Sequence, residues 1–126
     1  MYKRQSLPYS VDAVFAVNVL DNVSHPLTLL GQAHAVLKPG GLLLLATPFH
    51  WNDAITPNDQ QFSTLYPNDD GPSATRRILR GGDARMAQLD FEILEECELP
   101  WTLVDHARCS VHYRVWVVVA RRQSTA

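Results

Sequence analysis

Two nearly continuous apolar runs, separated by a segment long enough for one helix, constrain the fold of this chain more than any other feature. The first run is Val11–Leu20, which reads VDAVFAVNVL, and the second is Leu42–Thr47. Strands that are covered on both faces of a parallel sheet have this pattern, because few polar residues alternate with the apolar ones. The sequence therefore predicts two buried strands, the first of them central in its sheet.

The segment between the two runs predicts a helix over Pro26–Leu37. Ser24 is placed to cap the free amide groups, and Pro26, which lacks an amide hydrogen, suits the first turn. Apolar residues recur at spacings of three and four, at Leu29, Leu30, Ala33, Val36 and Leu37. The turn Lys38-Pro39-Gly40-Gly41 ends the helix. Strand, helix and strand then form a right-handed crossover between parallel strands, so the predicted fold class is α/β.

The rest of the chain predicts a long loop, two short helices and a hairpin. Pro48–Pro72 is rich in Pro, Asn and Asp and reads as a loop, and a loop this long is usually functional or mobile. Ser73–Arg80 and Arg85–Leu89 read as helix pieces. Val115–Ala120 reads as a buried strand, and we expect it to pair with Leu94–Val104 in an antiparallel edge hairpin with a long connection.

Size and composition exclude several classes of protein. A chain of 126 residues makes at most one domain, and 46% hydrophobic residues are too many for a disordered segment. The formal charge of -2 provides no basic field for nucleic acid or anionic lipid, and no apolar run approaches the ~20 residues that span a bilayer. Cys97 and Cys109 form no zinc motif, and Asp53 and Asp59 are too far apart to suggest a metal pair. We expect a cytoplasmic protein with no metal.

Three stretches of the chain carry a family resemblance: Asp12–Leu20, Leu37-Lys38-Pro39-Gly40-Gly41 and Thr47-Pro48. They resemble the fourth strand, the turn before the fifth strand and the end of the fifth strand in the C-terminal half of class I S-adenosylmethionine-dependent methyltransferases. Val115–Ala120 resembles the terminal antiparallel strand of that fold. The resemblance implies a Rossmann-like sheet of parallel strands with one final antiparallel strand, and S-adenosylmethionine as cofactor.

A narrower similarity links the chain to the methyltransferase domain of ovothiol-synthesising proteins. The matching stretches are Thr47–Trp51, Thr56-Pro57, Leu99-Pro100-Trp101 and Trp116–Arg122. This similarity implies a small-molecule acceptor, the imidazole nitrogen of a thiohistidine. The stretches Asn58–Gly71 and His106–Tyr113 show no tight correspondence, so the identity of the acceptor stays open.

The family's cofactor loop has no counterpart in the sequence. Such domains hold the cofactor with a Gly-rich loop after the first strand and an acidic residue after the second, and no GxGxxG segment occurs here.

Met1–Gln5 matches a translated sequencing adaptor, a GTG start followed by TAT-AAG-AGA-CAG. We therefore expect residues 1–5 to be a processing scar and residues 6–126 to be a partial domain, with Asp12–Leu20 as an open edge. The alternative for Met1–Gln5 is a short basic N-terminus.

The carboxyl ends of the two predicted strands are where open α/β sheets bind ligands. Asn18 can contact a cofactor or acceptor there, or bond the backbone of the local turn. Asp21 can orient an acceptor amine or act as a base, or serve only as a turn residue. His50 can accept a proton near neutral pH, or be a solvated loop histidine. The indole of Trp51 can wall a cationic or aromatic substrate.

Predicted roles follow from these positions and from the resemblance. The predicted cofactor-binding residues are Asn18, Val19 and Leu20, the predicted substrate-binding residues are Pro48, Phe49 and Trp51, and the predicted catalytic residues are Asp21 and His50.

The first functional hypothesis is methyl transfer from S-adenosylmethionine to a small-molecule acceptor, with this chain a truncated and inactive portion of the enzyme. The alternative is a non-catalytic half-domain that acts as a binding or regulatory module with a partner chain. A different nucleotide-binding α/β enzyme is the third. The sequence leaves the oligomeric state open.

Overall fold

A computed structural model describes residues 10–106 and 109–123. Within these residues the elements, in chain order, are β1 (Val11–Val17), α1 (Pro26–Val36), β2 (Leu37–Thr47), α2 (Phe62–Leu65), α3 (Gly71–Leu79), β3 (Phe91–His106) and β4 (Cys109–Arg122). Single 3-10 turns cover Leu20–Asn22, Asn58–Gln60 and Ala84–Met86.

The four strands form one mixed sheet in the order β1-β2-β4-β3. β1 and β2 are parallel, and β4 is antiparallel to both of its neighbours. The prediction that the first two strands are parallel neighbours joined by a helix is confirmed, and so is the α/β class with a final antiparallel strand.

β1 is shorter than predicted and lies at the edge of the sheet. The sequence predicts a central strand over Val11–Leu20, but the strand ends at Val17. Asn18 adopts a left-handed backbone with φ 57°, which a strand cannot continue through, and Leu20–Asn22 then curls into a 3-10 turn. The central position is wrong for this chain, whereas β1 lies at the edge of the four described strands, as we expected of an open edge.

α1 and β2 follow each other with no separate turn. Ser24 does not cap the helix, because its hydroxyl lies 3.0 Å from Nδ1 of His25 and the N-cap makes no side-chain hydrogen bond. β2 begins at the buried, extended Leu37 rather than at Leu42. The Lys-Pro-Gly-Gly turn therefore lies inside β2 as an irregularity, and Gly40 permits it by adopting φ +84°.

Arg122, near the end of β4, closes the C-terminus of α1. Its Nη1 donates to the carbonyl oxygens of His34 at 2.7 Å and Leu37 at 2.6 Å. The His34 carbonyl also accepts from the N–H of Leu37, so Arg122 adds a charged donor at this helix end, and its cation opposes the negative end of the helix dipole. The final strand thus holds both the sheet and the crossover helix.

The core lies on one face of the sheet. Leu43 and Leu45 of β2 are fully buried among residues of α1, α3 and β4. The opposite face carries Phe15, which is 74% exposed, and its cross-strand neighbours Leu44 and then Val119, both half-buried. We call Phe15, Val17, Leu44, Val117 and Val119 the outer face. The predicted cover on both faces of the apolar strands is thus wrong for this chain.

The segment between β2 and α3 is more ordered than its composition predicts. It contains a 3-10 turn and α2, whose Phe62 is buried in the core. α3 begins two residues before the predicted Ser73, because Asp70 caps it by accepting from the Ser73 amide at 2.8 Å. The second predicted helix piece, Arg85–Leu89, is only the 3-10 turn Ala84–Met86.

β3 and β4 form a hairpin that extends past the rest of the sheet. Their antiparallel pairing is confirmed, but it runs from Phe91 to His106, so the predicted long connection is wrong. The connecting residues 107–108 lie outside the described part of the chain. β2 pairs with β4 only as far as Trp116. Residues 99–106 and 109–115 therefore form a two-stranded extension, which we call the arm.

Replacing Arg122 tests the closure of α1. Arg122→Met keeps the apolar stem but removes the hydrogen bonds to His34 of α1 and to Leu37 of β2, so the free energy of unfolding should fall by about 1–3 kcal/mol. Urea denaturation followed by circular dichroism measures the loss. Arg121→Met is the matched control, because Arg121 is the exposed neighbour on the same strand. Equal losses in the two variants would contradict the capping role.

Candidate functional site

A cavity opens where the two parallel strands end. Parallel pairing brings the carboxyl ends of β1 and β2 to the same edge, which is where α/β sheets bind ligands. The cavity has a volume of about 660 Å³, within the range of small-molecule sites. Its lining residues are Asn18, Asp21, Asn22, Pro48, His50, Trp51, Asn52, Asp53, Ala54, Trp101 and Tyr113.

The structure brings most of the predicted site residues together at this cavity. Asn18, Asp21, Pro48, His50 and Trp51 line it. The other predicted site residues, Val19, Leu20 and Phe49, are not among its lining residues. Leu20 is fully buried in the core, because the 3-10 turn after Val19 rotates it inward, so its side chain cannot meet a cofactor. The functional roles of these residues remain predictions.

Phe49 is a packing residue between the end of β2 and α3. Its backbone is left-handed with φ 55°, and its ring centroid lies 5.8 Å from that of Trp116. A Cβ on Gly71 would lie 2.6 Å from the Phe49 ring, so only glycine fits at the start of α3. Phe49 and Trp51 line a second, smaller cavity of about 270 Å³.

Asp21 links the ends of the two strands. Asp21 is among the residues that line the cavity, although it is only 1% exposed. Oδ2 accepts from the backbone N–H of His50 at 2.8 Å, and Oδ1 accepts from Nδ2 of Asn22 at 3.1 Å. The Asp21 carbonyl also accepts from the N–H of Asn52 at 3.2 Å. These contacts join the turn after β1 to the loop that carries His50, and the predicted catalytic role of Asp21 stays a prediction.

Asn18 has two unfavourable features, both beside the cavity. Its backbone has φ 57°, and its N–H donates to the carbonyl of Ala46 at 2.7 Å. Its Oδ1 is buried without a hydrogen-bond partner. Asn tolerates the left-handed region better than most residues, but an unpaired buried acceptor is destabilising. Strain and an unsatisfied polar atom together are typical of a ligand-binding position.

Aromatic side chains from three parts of the chain wall the cavity. Trp51 packs edge-on against Phe62 with centroids 5.3 Å apart. His50 is exposed and lies edge-on to Tyr113 at 5.7 Å, and Tyr113 in turn lies 6.1 Å from Trp101. Sequence reasoning missed Trp101 and Tyr113 as site residues. Their signal was cross-strand pairing, which puts them opposite each other in the hairpin.

The strongest charge cluster lies apart from the cavity lining. Arg85 donates to Asp83 at 2.9 Å and 2.6 Å, and this holds the pKa of the Asp83 carboxyl well below its usual value. Burial, and then the hydrogen bond to Asp83, raises the pKa of the Tyr66 hydroxyl. The cluster fastens the segment after α2 to the turn after α3, which gives it a structural role.

The described residues contain neither a metal-binding cluster nor a membrane-spanning helix. No group of three or more His, Cys, Asp or Glu side chains in that part of the chain is arranged to hold a metal ion. No helix in the same residues is both long and apolar enough to cross a membrane.

Comparisons with known proteins point to the methyltransferase fold. A sequence model of the family described as "Methyltransferase domain" matches residues 4–45. A solved structure described as "Conversion of a Disulfide Bond into a Thioacetal Group during Echinomycin Biosynthesis" is similar with a TM-score of 0.55 and 11% identity. The match covers 94% of this chain and 52% of that chain, so the chain spans about half the length of that structure. No curated protein matches. The mixed α/β sheet is consistent with a methyltransferase Rossmann-like fold.

Asn18→Gly tests whether the Asn18 side chain destabilises the fold, as expected of a residue that serves ligand binding. Glycine relieves the left-handed strain and removes the unpaired oxygen, so the free energy of unfolding should rise by about 0.5–1 kcal/mol in a urea titration. Asn22→Gly is the control: Asn22 lies in the right-handed 3-10 turn, and there glycine should lower stability by roughly 1 kcal/mol. A loss of stability in Asn18→Gly would show that the Asn18 side chain serves the fold.

Proposed function

We propose that this chain forms the acceptor side of a site that transfers a methyl group from S-adenosylmethionine to a small molecule. The observation that carries the proposal is the cavity at the carboxyl ends of β1 and β2, with the unpaired Oδ1 of Asn18 and the ring of His50 beside it. The match of residues 4–45 to a methyltransferase family supports this chemistry.

The residues at this edge fit part of the cofactor. Asn18 has a buried acceptor atom available for an N–H or O–H donor, and Asn22 adds a further polar side chain to the lining. Val19 and Leu20 do not line this cavity, so their predicted contact with the cofactor is not part of the proposal. When bound, S-adenosylmethionine supplies an electrophilic methyl group on a positively charged sulfur.

The chain's own residues would align the acceptor and remove its proton. An in-line displacement depends chiefly on the position of the attacking atom, which the aromatic walls and Pro48 would restrict. His50 would accept the proton that the acceptor nitrogen loses. Oδ2 of Asp21 accepts from the backbone N–H of His50 at 2.8 Å. This contact would hold the backbone from which the imidazole extends. The acceptor we favour is an imidazole nitrogen, as in a thiohistidine, in line with the similarity over Thr47–Trp51.

We further propose that a second half, encoded upstream or on a separate chain, completes the domain. Phe15 and Val17 are 74% and 50% exposed, and among the described strands only β2 pairs with β1. An added parallel strand would satisfy the other edge of β1, and helices would cover the outer face, as burial of apolar surface favours. This second half would hold the nucleoside part of the cofactor. The chain's match to about half of a larger structure supports the proposal.

The exposed edge and outer face should make the isolated chain self-associate. We expect a hydrophobic dye such as anilinonaphthalene sulfonate to bind it, and Phe15→Lys to reduce both dye binding and association, because the charge interrupts the apolar surface. Dye fluorescence and size-exclusion chromatography measure these effects. Thr28→Lys adds the same charge on an exposed position of α1 and should change neither. A monomeric, dye-free parent chain would contradict the proposal of a missing half.

The second candidate function is a non-catalytic half-domain that binds a partner chain. The edge of β1 that no other described strand covers favours it, because an unpaired strand edge is a template for association. The two candidates differ in whether the assembled protein uses the His50 imidazole.

His50→Ala separates them in the protein assembled with its N-terminal half. Release of S-adenosylhomocysteine with thiohistidine and other imidazoles as acceptors is the readout. Loss of a general base should lower kcat roughly 100-fold or more with little change in cofactor affinity. His25→Ala is the control, because His25 is exposed and is not among the residues that line the cavity. Absence of turnover in the assembled parent protein would favour the binding module.

A further inference from the structure

We infer that the cavity selects a positively charged acceptor, and that Trp101 and Tyr113 of the arm determine this specificity. The inference rests on the proposed function, since it names the substrate class of the same site.

The charges around the cavity favour a cation. Asp21 and Asp53 are among the lining residues, and the described lining contains no Lys or Arg to balance their charge. Arg114 is adjacent in sequence, but it is paired with Glu98 at 3.0 Å, and successive strand residues point to opposite faces, which directs it away from Tyr113. An anionic acceptor would lose its hydration beside carboxylates without gaining a counter-charge.

The aromatic walls favour the same kind of ligand. The faces of indole and phenol rings are electron-rich and attract an ammonium or imidazolium group. Trp101 is 42% exposed although it is large and apolar, and it lies on the arm beyond the core. The arm thus presents the Trp101 ring to the cavity, although the ring is not part of the hydrophobic core.

The register of the hairpin places the rings of Trp101 and Tyr113 near His50, the proposed general base. Trp101 pairs with Tyr113 across the arm, so the two side chains share a face. Tyr113 contacts the ring of His50, which the main chain places at the end of β2. A cationic acceptor would bind against the rings in its protonated form and pass a proton to His50. The freed nitrogen lone pair would then form the N–C bond as the S–C bond breaks, and sulfur would keep the electron pair.

The test uses three probes of nearly the same shape and different charge: choline, 3,3-dimethylbutan-1-ol and 3,3-dimethylbutanoate. Binding to the 126-residue chain is measured by saturation-transfer NMR and by tryptophan fluorescence. The Phe15→Lys background is used if association interferes, because Phe15 is not among the cavity-lining residues. We expect choline to bind roughly ten-fold more tightly than the neutral alcohol, and the anion to bind weakest.

Substitutions on the arm locate the effect. Trp101→Ala should abolish the preference for choline, and Trp101→Phe should retain most of it, since a ring face remains. Leu99→Ala is the matched control: it truncates another exposed apolar residue of the arm that is not among the cavity-lining residues, and should leave the preference unchanged.

The outcomes separate this inference from the proposed function. Equal or tighter binding of the alcohol or the anion, or no binding of any probe to the folded chain, would overturn the cation selectivity. A preference that survives Trp101→Ala would overturn the role of the arm. Choline is already fully methylated, so its binding does not depend on methyl transfer. Cation preference without turnover in the assembled protein would overturn the proposed function alone.

Discussion

The parallel pairing of β1 with β2 is the constraint on which the rest of this structure depends. Two parallel strands need a crossover, and α1 provides it within the residues between them. The same pairing brings the carboxyl ends of both strands to one edge, so the segments after Val17 and after Thr47 must meet there. Arg122 of the last strand then caps the crossover helix, which couples the end of the chain to its beginning. The cavity is a consequence of this topology.

The edge where the strands meet contains several features that are each unfavourable for stability. Asn18 and Phe49 both have positive φ angles, and Asn18 keeps a buried oxygen without a partner. The carboxylate of Asp21 offsets part of this, because it satisfies the amide of His50 across the gap between the strands. The fully buried Leu43, Leu45 and Ile78 lie in the core below and supply the stability that tolerates such strain.

The core explains why the two faces of the sheet differ. Leu43 and Leu45 face α1 and α3, whereas Phe15 and Val17 of the neighbouring strand face outward with no described element over them. Continuous apolar strands normally have cover on both faces. β1 and β2 therefore have the composition of strands that are buried on both faces of a sheet. In the described part of this chain, only one of those faces is covered. That difference supports a second half as part of the functional unit.

The sequence alone determined the parallel unit, the first helix within one residue at its end, and the antiparallel partner of Val115–Ala120, because hydrophobic periodicity is a local property. It also identified five of the residues that line the cavity, since strand ends can be located along the chain. Only the tertiary structure decided that Leu20 turns into the core, that Phe49 packs on Trp116, and that Trp101 and Tyr113 complete the wall. Those outcomes depend on backbone dihedral angles at single residues and on a register between strands. A register shift of one residue would turn each side chain of the strand to the opposite face of the sheet. A change in one of those dihedral angles would likewise redirect the side chains that follow.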